Sequence, residues 1–415
     1  MPFAHQHIET NGEIKVCCAG KYGAHKDEHA RPYSIQTHSL TEAWNSEYLK
    51  KLRLDLIAGK EPDDCSLCWN TENPERTKGA SIRLEATRRI PISTIQDRID
   101  YAIAHEGEVD QLPYDFQIMT GNLCNLACKM CGPRFSSQWS KFFSNAGYTS
   151  VKEIVFNKDS LNFGGGEEIG EIHDWPITHP LRNIFDDTFK DIKYIFFTGG
   201  EPTLILQNIE FLEFLIDNDI SKNIELRIST NCTNINKRLL DTLSKFKQVN
   251  FNLSIDGIGD IIHIQRYPSN WAMIEKNIHT LLEWSKEHTE IQTSFCINYV
   301  WTSLNFHQLN EFLTYVMNLK IENTHTNISL ASTPLFSKFP ISDVPKEISS
   351  KVYEEFLTLK SNFVKNFGMH KSGIFEHYMT TVKFADSFEN IHFTLDVIQR
   401  LHPELDIKKI YNVYY

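Results

Sequence analysis

The sequence has no apolar run of about 18 residues, the length that a membrane-spanning helix requires. Its first residues, MPFAHQHIETNG, lack the basic and then apolar order of a secretory signal. Excess positive charge is also missing, because 42 Lys and Arg residues face 53 Asp and Glu residues and the net charge is -11. That balance argues against broad electrostatic binding to nucleic acid. We therefore expect a cytoplasmic protein without a membrane partner. Nucleic acid is disfavoured as a partner, although a local basic patch over residues 78–98 is left open beside the alternative of a solvated helix face.

Cysteine is scarce and unevenly placed, with seven of the nine residues in tight groups. In a chain expected to occupy a reducing compartment, such groups favour metal ligation over disulfide bonds. The 415 residues predict two or three domains, and 41% hydrophobic residues suffice for a globular core. The cysteine groups therefore mark the candidate functional sites.

Three cysteines follow the spacing C-x3-C-x2-C within residues 114–139. The residues before them alternate as in a short strand, and the aromatic residues after Pro133 recur at helical spacing. Three thiolates on one loop suit an iron–sulfur cluster, and a four-iron cluster held by three cysteines keeps one iron free for a small molecule. A structural zinc site would need a fourth ligand, and it remains an alternative, as do buried free thiols. The candidate ligands are Cys124, Cys128 and Cys131.

A second motif follows downstream, where the apolar run of DIKYIFFTGGEPTL ends in Gly199, Gly200, Glu201 and Pro202. The bounded run predicts a buried parallel strand. Two glycines at its end let the backbone approach a ligand closely, and Pro202 stiffens the exit. An ordinary strand-to-helix turn also uses glycines. In combination with C-x3-C-x2-C, however, the motif resembles the radical S-adenosylmethionine (radical SAM) enzymes.

The resemblance implies a 4Fe–4S cluster whose open iron binds the amino and carboxylate groups of S-adenosylmethionine. In that family the reduced cluster cleaves the cofactor, and a 5′-deoxyadenosyl radical abstracts hydrogen from a substrate, so the cofactor carries the chemistry and the protein places it. A reductant such as flavodoxin or ferredoxin is implied as a partner. By the same resemblance, Gly199, Gly200 and Glu201 line the methionine amino group.

From Tyr114 onward, strands and helices alternate. Strands are predicted near 115–120, 192–198, 224–230, 249–255, 291–298 and 325–330. Helices are predicted near 134–146, 206–217, 236–246, 271–287, 305–319 and 345–366. Six such units predict an α/β fold with a parallel sheet. They agree with the partial (β/α)6 TIM-type barrel of the resembled family, here over residues 91–340.

Polar residues end two of the later strands, in Ser229-Thr230-Asn231 and Ser254-Ile255-Asp256-Gly257. Ligands collect at the carboxyl ends of parallel strands, although each residue alone is typical of a helix cap or turn. By resemblance these positions contact the ribose and carboxylate of S-adenosylmethionine, and Arg266 suits the carboxylate because its fork matches one bidentately. Asn298, at the predicted end of the fifth strand, is a weaker candidate. The predicted cofactor-binding residues here are Thr230, Asn231, Ser254, Asp256 and Arg266.

Residues 1–90 are predicted to form a small separate module. A hairpin is indicated around Asn11-Gly12 and leads to Cys17-Cys18, and a helix begins at the capping box of Ser39 before Cys65-x2-Cys68. This arrangement resembles the twitch module, a short relative of the SPASM domain, which holds an auxiliary iron–sulfur cluster. A family cysteine that should precede Gly12 is missing, so Cys18, His5, His7 or a substrate atom remains open as fourth ligand. A zinc ribbon of Cys17, Cys18, Cys65 and Cys68 is the alternative.

Two segments of the chain carry no catalytic motif. Residues 148–190 form an insert that is either a lid, a partner surface or a passive loop, and residues 341–415 predict a helical C-terminal extension. Cys232 and Cys296 are isolated and are expected to be buried as small hydrophobic residues, although Cys232, next to the third-strand motif, could face the site.

The sequence thus predicts a radical SAM enzyme that acts on a peptide or protein side chain. The twitch-like module motivates that substrate. A radical SAM enzyme acting on a small metabolite, such as a sugar or nucleotide, is the alternative enzyme. A non-catalytic zinc-binding protein is the alternative from another class, and it would purify colourless, with zinc and without iron.

Overall fold

The computed structural model describes residues 2–21, 23–72, 81–90, 92–145, 147, 172–185, 189–319, 325–332, 343–367, 385–401 and 403–415. The chain divides into two compact units that are each discontinuous in sequence. The first unit comprises Met1–Leu123, Ile172–Ile228 and Asp241–Val249. The second unit comprises Cys124–Glu171, Ser229–Leu240 and Asn250–Tyr415. The predicted domain boundaries near residues 90 and 340 remain predictions.

All six predicted strands form, and four short strands accompany them. The strands are β1 (His5–Ile8), β2 (Ile14–Lys15), β3 (Asp115–Met119), β4 (Ala127–Cys128), β5 (Tyr194–Thr198), β6 (Glu225–Thr230), β7 (Gln248–Ser254), β8 (Arg266–Tyr267), β9 (Gln292–Trp301) and β10 (His325–Ser332). Only β9 runs clearly beyond its predicted end.

The six predicted helices of residues 134–366 also form. The helices span Leu40–Trp44, Glu47–Ile57, Ser66–Glu72, Ile82–Arg89, Gln96–Ala104, Ser137–Asn145, Trp175–Thr178, Leu181–Ile184, Leu206–Asp217, Lys237–Leu243, Gly259–Gln265, Trp271–Glu287, Leu309–Asn318, Lys346–Phe367, Glu389–Leu401 and Ile407–Ile410. The last three confirm a helical C-terminal part. Most of the predicted insert, residues 148–171 and 186–188, lies outside the described residues.

The sheet of the first unit has the strand order β6, β5, β3, β1, β2. Strands β3, β5 and β6 run parallel, as predicted from their buried apolar runs. The predicted N-terminal hairpin is present, since β1 and β2 pair antiparallel. Its first strand also runs parallel to β3, with His5 opposite Asp115. The segment before the first cysteine is therefore built into the parallel sheet.

The two faces of this sheet differ in chemistry. Ile118, Phe197 and Ile228 form one row across three strands and are at most 3% exposed. Burial of such side chains stabilises a fold by about 1.5–3 kcal/mol each. The next row on the other face contains Gln117 and Arg227, which are only half-buried. One face thus belongs to the core, and the other is polar and partly open to water.

Two buried arginines fix the chain just before β1. Arg53 donates to the carbonyls of Pro2 at 2.7 Å, Gly107 at 3.0 Å and Trp44 at 2.6 Å. Arg98 donates to the carbonyl of Phe3 at 2.9 Å. Burial lowers the pKa of Arg53 to about 9, so its guanidinium stays charged at neutral pH and holds these carbonyls.

In the second unit β9 lies between β7 and β10, and β9 and β10 are parallel. A separate antiparallel pair joins β4 to β8, with Cys128 opposite Arg266. The fold is a mixed α/β fold with a parallel sheet whose described strands do not close into a full barrel, which confirms the predicted fold class. Among the described residues, none of the helices combines the length and the apolar character that crossing a membrane demands.

Candidate cluster and cofactor sites

The C-x3-C-x2-C loop lies in the second unit, between β3 and the helix Ser137–Asn145. Its backbone is held by side chains at the start of that helix. The Ser137 hydroxyl donates to the Cys124 carbonyl at 3.1 Å and accepts from the Cys124 N–H at 3.2 Å. Ser136 and Trp139 donate to the carbonyls of Leu126 and Cys128 at 2.6 and 2.8 Å. The loop therefore keeps a defined course because its polar backbone groups are paired.

Two of the three thiols of this loop are shielded from water, and Cys131 is half-buried. Cys124 and Cys128 are 8% and 7% exposed. Burial raises the pKa of Cys128, and burial together with the charge of Cys128 raises the pKa of Cys131 to about 12. As a free group the Cys131 thiol would remain protonated at neutral pH. A bound metal offsets this because it holds the sulfur as thiolate.

Two nitrogen donors point at the sulfurs of the loop. Asn231 Nδ2 lies 4.0 Å from Cys124 Sγ, and Arg266 Nη1 lies 3.6 Å from Cys128 Sγ. N–H donors of this kind stabilise thiolate sulfur in iron–sulfur centres. The three cysteines belong to one packed group with Leu126 and Met130. Among the described residues, however, no group of three or more His, Cys, Asp or Glu side chains is placed to hold a metal ion, and a 4Fe–4S cluster on this loop remains a prediction.

Asn231 is fixed by a small amide and hydroxyl network. Its Nδ2 donates to Asn125 Oδ1 at 3.1 Å, and its Oδ1 accepts from the Thr233 N–H at 2.9 Å. Asn125 Nδ2 donates to Thr233 Oγ1 at 2.9 Å. The structure thus brings the predicted Asn231 to the cysteine loop. It also adds Asn125 and Thr233, which sequence analysis missed and for which the position of Asn125 directly after Cys124 was the only signal.

Asp256 and Arg266 form a buried ion pair, with Arg266 Nε at 2.6 Å from Asp256 Oδ2. The other carboxylate oxygen of Asp256 accepts from the Val300 N–H at 2.7 Å. Burial by itself would lower the pKa of Arg266, but the charges of Asp256 and Cys128 outweigh it and raise that pKa. Both predicted cofactor residues are therefore engaged with the protein itself.

The other strand-end residues of the second unit occupy defined positions. Thr230 ends β6 and its Oγ1 accepts from the Cys232 N–H at 3.1 Å, and Ser254 ends β7. Cys232 is fully buried and has φ of 60°, whereas Cys296 is half-buried. The prediction that Asn298 ends its strand is wrong, because β9 continues to Trp301. Buried and half-buried residues continue to alternate from residue 299 to residue 301, a stretch that sequence analysis left outside the predicted strand.

The Gly-Gly-Glu motif lies in the first unit and contacts the segment that leads to Cys124. Gly200 N–H donates to Gly121 O at 3.0 Å, and Glu201 N–H donates to Leu123 O at 2.8 Å. A Cβ atom on Gly200 would lie 2.3 Å from Leu123 O, and Gly199 has φ of 110°. The observed close approach is thus between two backbone segments. A ligand role for Gly199, Gly200 and Glu201 remains a prediction.

The second cysteine group lies in the first unit. Burial, followed by the charge of Cys17, raises the pKa of Cys65 to about 11. The charge of Cys68 also acts on Cys17. Among the described residues no group of three or more His, Cys, Asp or Glu side chains is placed to hold a metal ion, so an auxiliary cluster on these cysteines remains a prediction.

The three protein candidates for a fourth auxiliary ligand differ in their surroundings. His5 Nδ1 lies 3.0 Å from Asp115 Oδ2, and His7 Nε2 lies 3.3 Å from Glu9 Oε1. Cys18 is exposed and directly follows Cys17 in the chain. Among the three, Cys18 is thus the candidate that lies beside another thiol of the group.

A buried histidine of the first unit, His25, predicts a pH dependence. His25 is 7% exposed and stacks on Tyr48 at 5.3 Å, and burial lowers its pKa from 6.5 to about 4. Because the folded protein binds a proton at His25 less readily than the unfolded chain does, the free energy of unfolding is not reduced by this group above pH 6.5. It decreases as the pH falls from 6.5 toward 4. That loss amounts to roughly 3 kcal/mol. His25→Phe keeps an aromatic ring, so it should remove this part of the acid sensitivity in urea unfolding at pH 7 and 4.5.

The exposed His29 supplies the control, because its side chain is 65% exposed. His29→Gln should unfold with the same pH dependence as the parent. An unchanged difference between the two pH values in His25→Phe would contradict the assignment.

Comparisons with known proteins agree with this geometry. Residues 118–284 match the family model of the radical SAM superfamily. Residues 1–69 match SPASM, described as an iron-sulfur cluster-binding domain. The chain therefore carries a radical SAM domain and a SPASM-type iron–sulfur domain. These domains imply a 4Fe–4S cluster with S-adenosylmethionine and auxiliary iron–sulfur binding, which confirms the predicted resemblance and cofactors.

Solved structures with a similar course of the chain include SuiB of Streptococcus suis bound to the precursor peptide SuiA. It has 16% identity and a TM-score of 0.35, and the match covers 76% of this chain and 60% of that one. Another is anSMEcpe with bound AdoMet and the Cp18Cys peptide, at 19% identity and a TM-score of 0.37, covering 60% of each chain. The chain thus spans about three fifths of the length of these structures. No curated protein matches it in sequence.

Proposed function

We propose that the protein is an enzyme that reductively cleaves S-adenosylmethionine and directs the resulting radical to a peptide or protein side chain. The observation that carries the proposal is the cysteine loop itself, which has two buried thiols and one half-buried thiol, with N–H donors to two of the sulfurs, inside a radical SAM domain. A 4Fe–4S cluster held by Cys124, Cys128 and Cys131 would supply the electron and bind the cofactor. An external reductant such as flavodoxin or ferredoxin would reduce the cluster again.

The chain's own residues would place the cofactor. Gly199, Gly200 and Glu201 are assigned to the methionine amino group by their match to the family motif. Thr230 and Ser254, which end their strands, are assigned to the polar end of the nucleoside. Asp256 has both oxygens engaged by Arg266 and Val300, so we assign it a supporting role instead of ribose contact.

The peptide assignment is supported by the SPASM-type domain of residues 1–69. It is also supported by the polar face of the first unit's sheet. There Gln117, Phe196 and Arg227 follow one another across β3, β5 and β6 and are half-buried. Arg227 lies over the Phe196 ring at 5.6 Å. A face with amide, aromatic and cationic groups suits a peptide, which offers carbonyls, side chains and carboxylates together.

Substrate-dependent cofactor cleavage tests this proposal. The reconstituted protein is incubated anaerobically with separated peptide, small-metabolite and RNA fractions of the host, and 5′-deoxyadenosine is followed above the uncoupled background. The peptide fraction should stimulate its formation, with a matching mass change in a peptide. Stimulation by the small-metabolite fraction alone would overturn the peptide assignment. Stimulation by RNA alone would also overturn the inference from net charge.

Iron content tests the second cysteine group. If Cys17, Cys65 and Cys68 hold an auxiliary cluster, the triple alanine variant of Cys124, Cys128 and Cys131 should retain about half of the parent's iron and sulfide. A variant that also lacks Cys17 should fall below that level. Zinc as the only metal of the first variant, or no metal, would contradict the auxiliary iron–sulfur site.

Cys18 can be tested separately, since it is the candidate fourth protein ligand. Cys18→Ala in the background of the triple variant should lower the retained iron further, whereas His5→Gln and His7→Gln should not. Full retention in Cys18→Ala would exclude Cys18, and full retention in all three variants would leave the fourth position to a group from outside the chain.

A further inference from the structure

A buried ion pair touches one sulfur of the cysteine loop. Arg266 Nε lies 2.6 Å from Asp256 Oδ2, while Nη1 of the same guanidinium lies 3.6 Å from Cys128 Sγ. Asp256 is 0% exposed and Arg266 is 8% exposed. The charges of this pair are thus shielded from solvent and from salt, and they act at close range on the sulfur.

The backbone fixes the position of this guanidinium. Cys128 and Arg266 are opposite each other in the antiparallel pair of β4 and β8. The adjoining Lys129 N–H donates to Gln265 O at 2.8 Å. On the far side, Asp256 is held by the Val300 N–H at 2.7 Å. Arg266 is therefore oriented from both ends, and one fork nitrogen faces Cys128.

Stability alone gives no sufficient reason for this arrangement. Removing both charges from water costs several kcal/mol per ion, and the attraction between them often no more than offsets that cost. A sequence that needed only packing would be served by apolar residues of similar volume. The location beside a sulfur ligand indicates an electrostatic role.

We propose that Arg266 is a positioning residue that donates an N–H to the Cys128 sulfur, and that the Asp256–Arg266 pair sets the reduction potential of the cluster on this loop. The proposal rests on the proposed function. Reduction adds negative charge to the cluster. The Arg266 cation and its N–H···S contact stabilise that charge and raise the potential, while the Asp256 carboxylate opposes them.

The two members of the pair therefore predict opposite shifts. Arg266→Gln removes the positive charge and should make the potential of the reconstituted cluster more negative. Asp256→Asn removes the negative charge at nearly constant volume and should make it more positive. Arg266→Lys keeps the charge without the fork and should lie between the parent and Arg266→Gln. The measurement is a redox titration followed by electron paramagnetic resonance, with iron content and thermal unfolding recorded for each variant.

Arg400→Gln is the charge control, because Arg400 is an exposed cation near the end of the helix Glu389–Leu401. It should leave the potential unchanged, since solvent and salt screen an exposed charge. The proposal would be overturned if Arg266→Gln and Asp256→Asn had the same reduction potential as the parent. It would also be overturned if both variants shifted the potential in the same direction. If Arg266→Gln retains no cluster, Asp256→Asn decides, and an unchanged or lowered potential there overturns it.

The result is separable from the proposed function. A parent protein that holds the cluster but yields no 5′-deoxyadenosine contradicts the proposed activity. The opposite shifts of potential would still establish the role of the ion pair, because they require only a bound cluster.

Discussion

Replacing Cys124, Cys128 or Cys131 by Ala should abolish 5′-deoxyadenosine formation with dithionite as reductant. Each thiolate supplies one of only three protein ligands to the proposed cluster. With one of them gone, the cluster either is lost or has no defined open iron, so the effect is a complete loss and not a partial one. The product is quantified by chromatography after anaerobic incubation with S-adenosylmethionine.

Cys296→Ser provides the control, because Cys296 is half-buried in β9 and lies outside both cysteine groups. It should keep the parent's iron content and its cleavage of the cofactor in the absence of substrate. Normal cleavage in the triple alanine variant would exclude this loop as the cluster site.

Gly200→Ala should lower the free energy of unfolding by about 2–3 kcal/mol. The new Cβ would lie 2.3 Å from Leu123 O, and that oxygen already accepts the Glu201 N–H at 2.8 Å. Because the obstacle is backbone and not the end of a flexible side chain, the strand end must move and its hydrogen bonds must lengthen. Urea unfolding followed by circular dichroism measures the loss.

Gly23→Ala is the matched substitution, since no atom lies within 4 Å of a Cβ at Gly23. It should be close to neutral under the same conditions. Equal stability of the two variants would show that the close approach at Gly200 relaxes freely, and the glycine would then need another explanation, such as room for the cofactor.

The elements of the fold were predictable wherever the apolar period was strong. Strand β6 alternates between buried and half-buried residues, and the helix Trp271–Glu287 has the predicted bounds. The capping box at Ser39 also forms, with Glu42 as its partner. Each of these signals is local, because it depends on residues within a few positions of one another.

Pairing between strands that are far apart in the chain could not be predicted from the sequence. Nothing in His5–Ile8 shows that its parallel partner is Asp115–Met119, because strand pairing across such a distance leaves no local pattern. The partner of Arg266 could not be predicted for the same reason. Its fork suited a ligand carboxylate, but the carboxylate that it contacts belongs to Asp256. Residue types indicate chemistry, and only the fold shows which group is the partner.

The pairing of β1 with β3 has a consequence for the synthesis of the chain. Asp115, the residue opposite His5, is synthesised about 110 positions later. At ribosomal rates the interval between the two residues is roughly 6–22 s. During that interval β1 has β2 on one side and an unpaired edge on the other, and such an edge can pair with neighbouring chains. Slow translation lengthens the exposure. The yield of soluble protein should therefore depend on how quickly the ribosome passes β3.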